Sequence, residues 1–181
     1  PFINTTLALN GDTSPNVVVT PNSYQNVTLS YTNTLSTSVT NATVAIAVSG
    51  SAVDYNSIQT TNGFYRSTDH TIVFSRDTDP SLAILAPGAS GIGTFTFSTL
   101  PMNAFTSAPT ITFTISVSGT RVGQSNVPEQ VSTSATKTAK IATTVIFSAS
   151  SLHTSGLLST SGPIPPRAGQ RETETNPPIL A

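Results

Sequence analysis

The stretch Gln25-Asn26-Val27-Thr28-Leu29-Ser30-Tyr31-Thr32-Asn33-Thr34 decides the fold. Apolar Val27, Leu29 and Tyr31 alternate with small polar Thr28, Ser30 and Thr32. A period of two is the mark of a strand with one face to a core and one to water. The same design recurs on both sides of it. Residues 2–9 read as a first strand with Ile3, Leu7 and Leu9 as its apolar positions, and residues 17–19 as a short second one. In residues 41–49, Val44, Ile46 and Val48 share a face against Thr43, Ala45 and Ala47. Residues 71–75 form a short buried strand around Ile72, Val73 and Phe74. In residues 91–98, Phe95 and Phe97 are expected to point inward. The longest alternation is 110–122, with Ile111, Phe113, Ile115 and Val117 on one face and Thr112, Thr114, Ser116 and Ser118 on the other. Residues 131–148 form a last strand-rich run.

Turn signals separate these runs: Asn10-Gly11-Asp12, Pro21-Asn22, Asp77-Thr78-Asp79-Pro80 and Ala86-Pro87-Gly88-Ala89. Residues 50–63 are less regular, and Val53, Tyr55 and Ile58 suggest a short strand or an ordered loop. Asn62-Gly63 is the strongest hairpin-turn signal and is expected to join two paired strands. No segment carries a helical period with caps. Short strands at this spacing predict an all-β sandwich.

Composition narrows the function classes. The chain has 181 residues, of which 36% are hydrophobic, enough for a sizeable core. Charged residues are only 8%, against roughly 25% in an ordinary soluble domain. Ser and Thr fill the gap, at roughly a third of the chain. Net charge is −1 and the seven Lys and Arg are scattered, so the basic footprint of a nucleic-acid partner is missing. With no cysteine, disulfides, thiolate metal sites and thiol nucleophiles are excluded. No apolar run approaches the ~18 residues of a membrane helix. The sequence opens on Pro1 without a signal peptide, as expected of a processed or excised chain. Residues 1–150 are expected to form the sandwich. Residues 151–181 hold Gly156, Gly162, Pro163, Pro165, Pro166, Gly169, Pro177 and Pro178, the composition of an extended tail or linker that cannot join a central strand.

Two motifs carry a resemblance. Val27-Thr28-Leu29-Ser30-Tyr31-Thr32-Asn33-Thr34 is followed about fifty residues later by Leu85-Ala86-Pro87-Gly88-Ala89-Ser90 and the strand Gly93-Thr94-Phe95-Thr96-Phe97. In order and spacing this resembles the conserved immunoglobulin-like repeat, a domain of unknown function found in tandem in bacterial and archaeal extracellular surface proteins. The likeness covers residues 3–122. It implies an immunoglobulin-like antiparallel β-sandwich, here with an extended Pro/Gly-rich C-terminal tail, and an extracellular stalk or repeat module rather than an enzyme. The tail departs from that pattern: Glu174-Thr175-Asn176-Pro177-Pro178 stands where a further repeat would continue with an alternating strand.

Candidate chemistry is sparse. His70 and His153 are far apart, and a lone histidine is read as structural. Asp77 and Asp79 are the calcium candidates, but six to eight oxygens are needed and no Gly-spaced loop or terminal Glu accompanies them. The preferred reading is a turn with no metal. No Gly-x-Ser-x-Gly elbow is present. Lys137 and Lys140 are expected to face solvent and block edge pairing. An intramolecular amide would instead need a buried lysine facing an amide or acid. Asn4, Asn26 and Asn41 each begin an Asn-x-Thr triplet and are glycosylation candidates.

The expectation is a non-enzymatic structural module of a cell-surface protein without cofactors. It would be a filament- or pilus-like subunit that associates with its own copies or neighbouring repeats, through a strand given by residues 2–9 or by the tail. The alternatives are a surface adhesin for carbohydrate or a host protein, with Tyr24, Tyr55 and Tyr65 as exposed aromatics, and a viral coat subunit.

Overall fold

A computed structural model describes residues 2–101, 103 and 109–142; the expected tail at 151–181 and His153 lie outside the described residues. Eleven strands follow in order: β1 Ile3–Leu9, β2 Asn16–Val19, β3 Tyr24–Asn33, β4 Val39–Ser49, β5 Val53–Thr60, β6 Phe64–Arg66, β7 Thr71–Phe74, β8 Ile84–Leu85, β9 Ser90–Thr99, β10 Thr110–Val122 and β11 Pro128–Ile141. A four-stranded sheet runs β1-β3-β9-β5, and a larger sheet runs β2-β11-β10-β4-β7-β6 with β8 also paired to β4. The fold is an immunoglobulin-like antiparallel β-sandwich, with one exception to the direction: β2 runs parallel to β11.

The alternation read from the sequence is the alternation of burial. Val27, Leu29 and Tyr31 of β3 are buried, as are Val44, Ile46 and Val48 of β4 and Ile111, Phe113, Ile115 and Val117 of β10. Phe95 and Phe97 of the small sheet meet Phe113 of the large one, with ring centroids 6.3 and 6.0 Å away. Each ring removed from water contributes roughly 2–3 kcal/mol. The rings need room, and two glycines on the inward face of β9 supply it. Gly91 lies opposite Tyr31, and a Cβ there would sit 2.3 Å from the Tyr31 hydroxyl. A Cβ on Gly93 would sit 2.8 Å from the Phe74 ring.

The two motifs of the resemblance meet in space. Asn33 is buried, and its Nδ2 donates to the carbonyls of Leu85 at 2.9 Å and Ala86 at 3.2 Å. Its own carbonyl accepts from Gly88 N–H and its N–H donates to Ala89. Ala86–Ala89 is closed by Ala89 N–H on Ala86 O, with Gly88 at φ 76. Pro at the second position and a left-handed Gly at the third give a type II turn. Thus Tyr-Thr-Asn-Thr and Leu-Ala-Pro-Gly are one structural unit, the asparagine being the clamp and the turn what it holds.

Asn10-Gly11-Asp12 moves the chain between sheets. Asn10 at φ 53 and Gly11 at φ 87 turn it out of β1 and into β2 of the large sheet. Asn62-Gly63 also crosses between sheets, and the hairpin expected there is not formed: β5 pairs with β9, whereas β6 pairs with β7. The dipeptide serves other ends. Asn62 Nδ2 donates to Ile92 O at 2.7 Å and its Oδ1 accepts from Thr94 N–H at 3.2 Å, as a strand neighbour would. A Cβ on Gly63 would lie 2.6 Å from the Phe74 ring. The hairpin falls instead at residues 67–70, between β6 and β7, where His70 takes φ 54.

Candidate functional site

The last strand changes character along its length. Its inward positions at the C-terminal end are Lys137, Ala139 and Ile141, all buried, whereas nothing from 128 to 136 is buried. β2 covers only the end, from Thr138 to Ile141. Ile141 N–H points to Pro109 O beside β10, and Ala142 N–H to Val19 O beside β2. The register with β10 is unbroken, so the amides of residues 132, 134 and 136 also point to the β2 side. Among the described residues no strand meets them there.

A groove follows this open edge. Ile3, Asn4 and Thr5 of β1 face Thr133, Ser134 and Ala135 across about 350 Å³, and a second hollow of about 290 Å³ reaches on past Leu7 to Lys137. Lys137 closes the seam. It is 6% exposed, and its Nζ donates to Leu7 O and Asp12 O, both at 2.9 Å. Burial pushes its ammonium below the ordinary lysine range, with the nearby Asp12 charge pulling the other way. The expectation of a solvent-facing Lys137 is therefore corrected: its parity with Ala139 and Ile141 turns it inward, and two backbone carbonyls replace its water. Those carbonyls are not the side-chain amide or acid that an intramolecular amide requires. Lys140, of opposite parity, is exposed as expected.

The other candidates are placed as follows. Asp79 caps a short 3-10 turn, accepting from the N–H and hydroxyl of Ser81 at 3.1 and 2.7 Å. These bonds hold its carboxyl below the ordinary aspartate range. It also accepts from the Tyr31 hydroxyl at 3.1 Å, and burial together with this charge pushes that phenol up to about 12. Asp77 sits exposed in the same turn, and among the described residues no cluster of three metal-ligating side chains forms. His70 stacks on Tyr55 with centroids 3.7 Å apart and bonds the Tyr65 hydroxyl through Nδ1 at 3.0 Å. Tyr55 and Tyr65 are consequently half-buried and bonded, not free platforms; only Tyr24 stands out, 68% exposed. Asn4, Asn26 and Asn41 are all exposed, although the Asn41 amide accepts from Arg76 at 2.9 Å.

Sequence reasoning missed the structural roles of Gln25 and Asn33, two buried amides at the ends of the β3 core face. Their shared parity with Val27 and Tyr31 was the available signal.

No family model matches the chain, and no curated protein matches it. Solved structures with a similar arrangement include AggA, the major subunit of aggregative adherence fimbriae type I from Escherichia coli, at 11% identity over 77% of this chain and 93% of that one, TM-score 0.42. BcpA, the major pilin subunit of Bacillus cereus, is 8% identical over 77% of this chain and 40% of that one, TM-score 0.43. ACE19, the collagen-binding subdomain of an Enterococcus faecalis surface protein, is 14% identical over 79% and 97%, TM-score 0.36. At such identities the likeness is one of sandwich architecture.

Proposed function

We propose that the chain is a non-enzymatic structural module of an extracellular surface protein, joined to copies of itself by strand addition on the open half of β11. The observation that supports this is the row of outward amides at 132, 134 and 136 beside an unfilled groove. A donated strand would extend the large sheet along the line of β2, and its inward side chains would enter the seam against β1. Faces covered by hydroxyls instead of charges suit a module that packs beside its own copies, where like charges would repel. The donor is not residues 2–9, because Ile3, Leu7 and Leu9 are already buried in their own sandwich. Residues 143–181 are the donor in this reading.

Electron microscopy of the full chain tests it. Filaments are expected from the wild type and none from Ser134→Pro, which removes one outward N–H and blocks the edge. Removing residues 143–181 should also abolish them. Filaments that persist in Ser134→Pro would refute the edge, and filaments that persist without 143–181 would refute the donor.

A further inference from the structure

On the outer face of the small sheet, away from the open edge, lies a depression of about 200 Å³. The register explains how it is built. Asn26 of β3 pairs with Thr96 of β9, which pairs with Gln59 of β5, so an amide, a hydroxyl and an amide stand in one row. Tyr24 flanks this row on one side. On the other side the Thr61 and Thr94 hydroxyls meet at 3.3 Å. The register of β5 on β9 shifts between Asp54 and Gln59, beside the row.

Three features of this place decide what it can hold. First, among the described residues Tyr24 is the most exposed of the large apolar side chains, and its hydroxyl has no protein partner there. Tyr31, Tyr55 and Tyr65 all spend theirs on the protein. Second, the side chains of Asn26, Gln59 and Thr96 are likewise without a protein partner among the described residues. Asn10, Asn33 and Asn62, by contrast, are each bonded. Third, no charged side chain lines the depression.

We infer that this is a binding subsite for a neutral saccharide. A pyranose ring has an apolar face and a rim of hydroxyls. An exposed tyrosine offers the first a flat apolar partner. A side-chain amide offers the rim a donor and an acceptor side by side, the pairing that vicinal hydroxyls match. The absence of charge removes any preference for uronic or sulfated sugars. The depression takes about one sugar unit and leaves much of it in water, so affinity is millimolar and becomes useful when copies are arrayed. This inference is independent of strand addition: it uses the opposite sheet and a different set of residues.

The test is an amide-resolved NMR titration of the full chain made in a host without N-glycosylation, which keeps Asn26 unmodified. The probes are cellotriose, maltotriose, mannotriose and triacetylchitotriose, with trigalacturonic acid as the charged comparison. At least one neutral trisaccharide should give saturable shifts at Tyr24, Asn26, Gln59, Thr94 and Thr96. Tyr24→Ala should weaken it about tenfold, the loss of one aromatic contact. Phe64→Ala, which removes an exposed ring from the other sheet, should leave binding unchanged. Because Tyr24 is exposed, loss of folding does not confuse the reading, and Gln59→Ala provides a second variant. The site is overturned if no neutral trisaccharide gives saturable shifts, if Tyr24→Ala binds as tightly as the wild type, or if the acidic sugar binds best.

Discussion

The two halves of β11 share a strand, a partner and a register, yet they do different work. The C-terminal half is flanked by β10 and β2 and places Lys137, Ala139 and Ile141 in the interior. Among the described residues the N-terminal half is flanked by β10 alone, and its inward positions, Glu129, Val131, Thr133 and Ala135, are none of them buried. The difference teaches that the strand's second neighbour and its buried side chains come together. Where the chain supplies both, the edge is closed; where it supplies neither, the edge stays available at little cost to the fold.

Proline placed in each half should break this contrast most visibly. Ala139→Pro removes an amide directed at β10 within the doubly paired half, and should cost more than about 3 kcal/mol. Ser134→Pro removes an outward amide and should stay within about 1 kcal/mol. Urea unfolding of the two variants measures both, and equal losses would erase the distinction. Next in size is Lys137. Lys137→Met keeps most of the buried stem but takes the ammonium from the Leu7 and Asp12 carbonyls, of which Asp12 keeps the Leu9 N–H, and should cost roughly 2 kcal/mol in the same assay.

A smaller effect comes from pH. The folded state holds the Lys137 ammonium at a cost, with its ionisation below the ordinary 10.5. The folded chain therefore sheds this proton before the unfolded chain does. Stability of the wild type relative to Lys137→Met should rise as pH climbs through the depressed value towards 10.5, and level off above it. Urea midpoints of the two proteins at neutral and alkaline pH give the comparison, and a falling difference would contradict the buried placement. The smallest effect belongs to the open half: Arg121→Ala removes the exposed ion pair with Glu129 at 2.9 Å and should change stability by less than about 1 kcal/mol.

How much of this was legible follows from the range of each interaction. Val27, Leu29, Tyr31, Phe95 and Phe97 declare their faces within a few residues, since the pleat imposes the period locally. Lys137 was misread because its charge was weighed above its parity with Ala139 and Ile141. Asn62-Gly63 was misread because a hairpin turn and a crossing between sheets ask for similar residues, and the choice depends on Phe74 and β9, far away in sequence. Tyr55 and Tyr65 were expected to stand free, but His70, brought round by the loop at residues 67–70, ties both. The saccharide subsite needs three strands in register before Asn26, Thr96 and Gln59 become neighbours, so no local pattern announces it.

The parallel pairing of β2 with β11 has a mechanical meaning. Tension reaching β2 through its leading end at Asn16 and leaving β11 through its trailing end at Ile141 pulls two parallel strands from opposite ends. The bonds between them then lie across the direction of pull and must yield together, whereas an antiparallel pair drawn from adjacent ends opens one bond at a time. Lys137 adds cross-ties to Leu7 and Asp12, just upstream of that patch. A module wired this way resists stretching more than its small number of terminal bonds suggests.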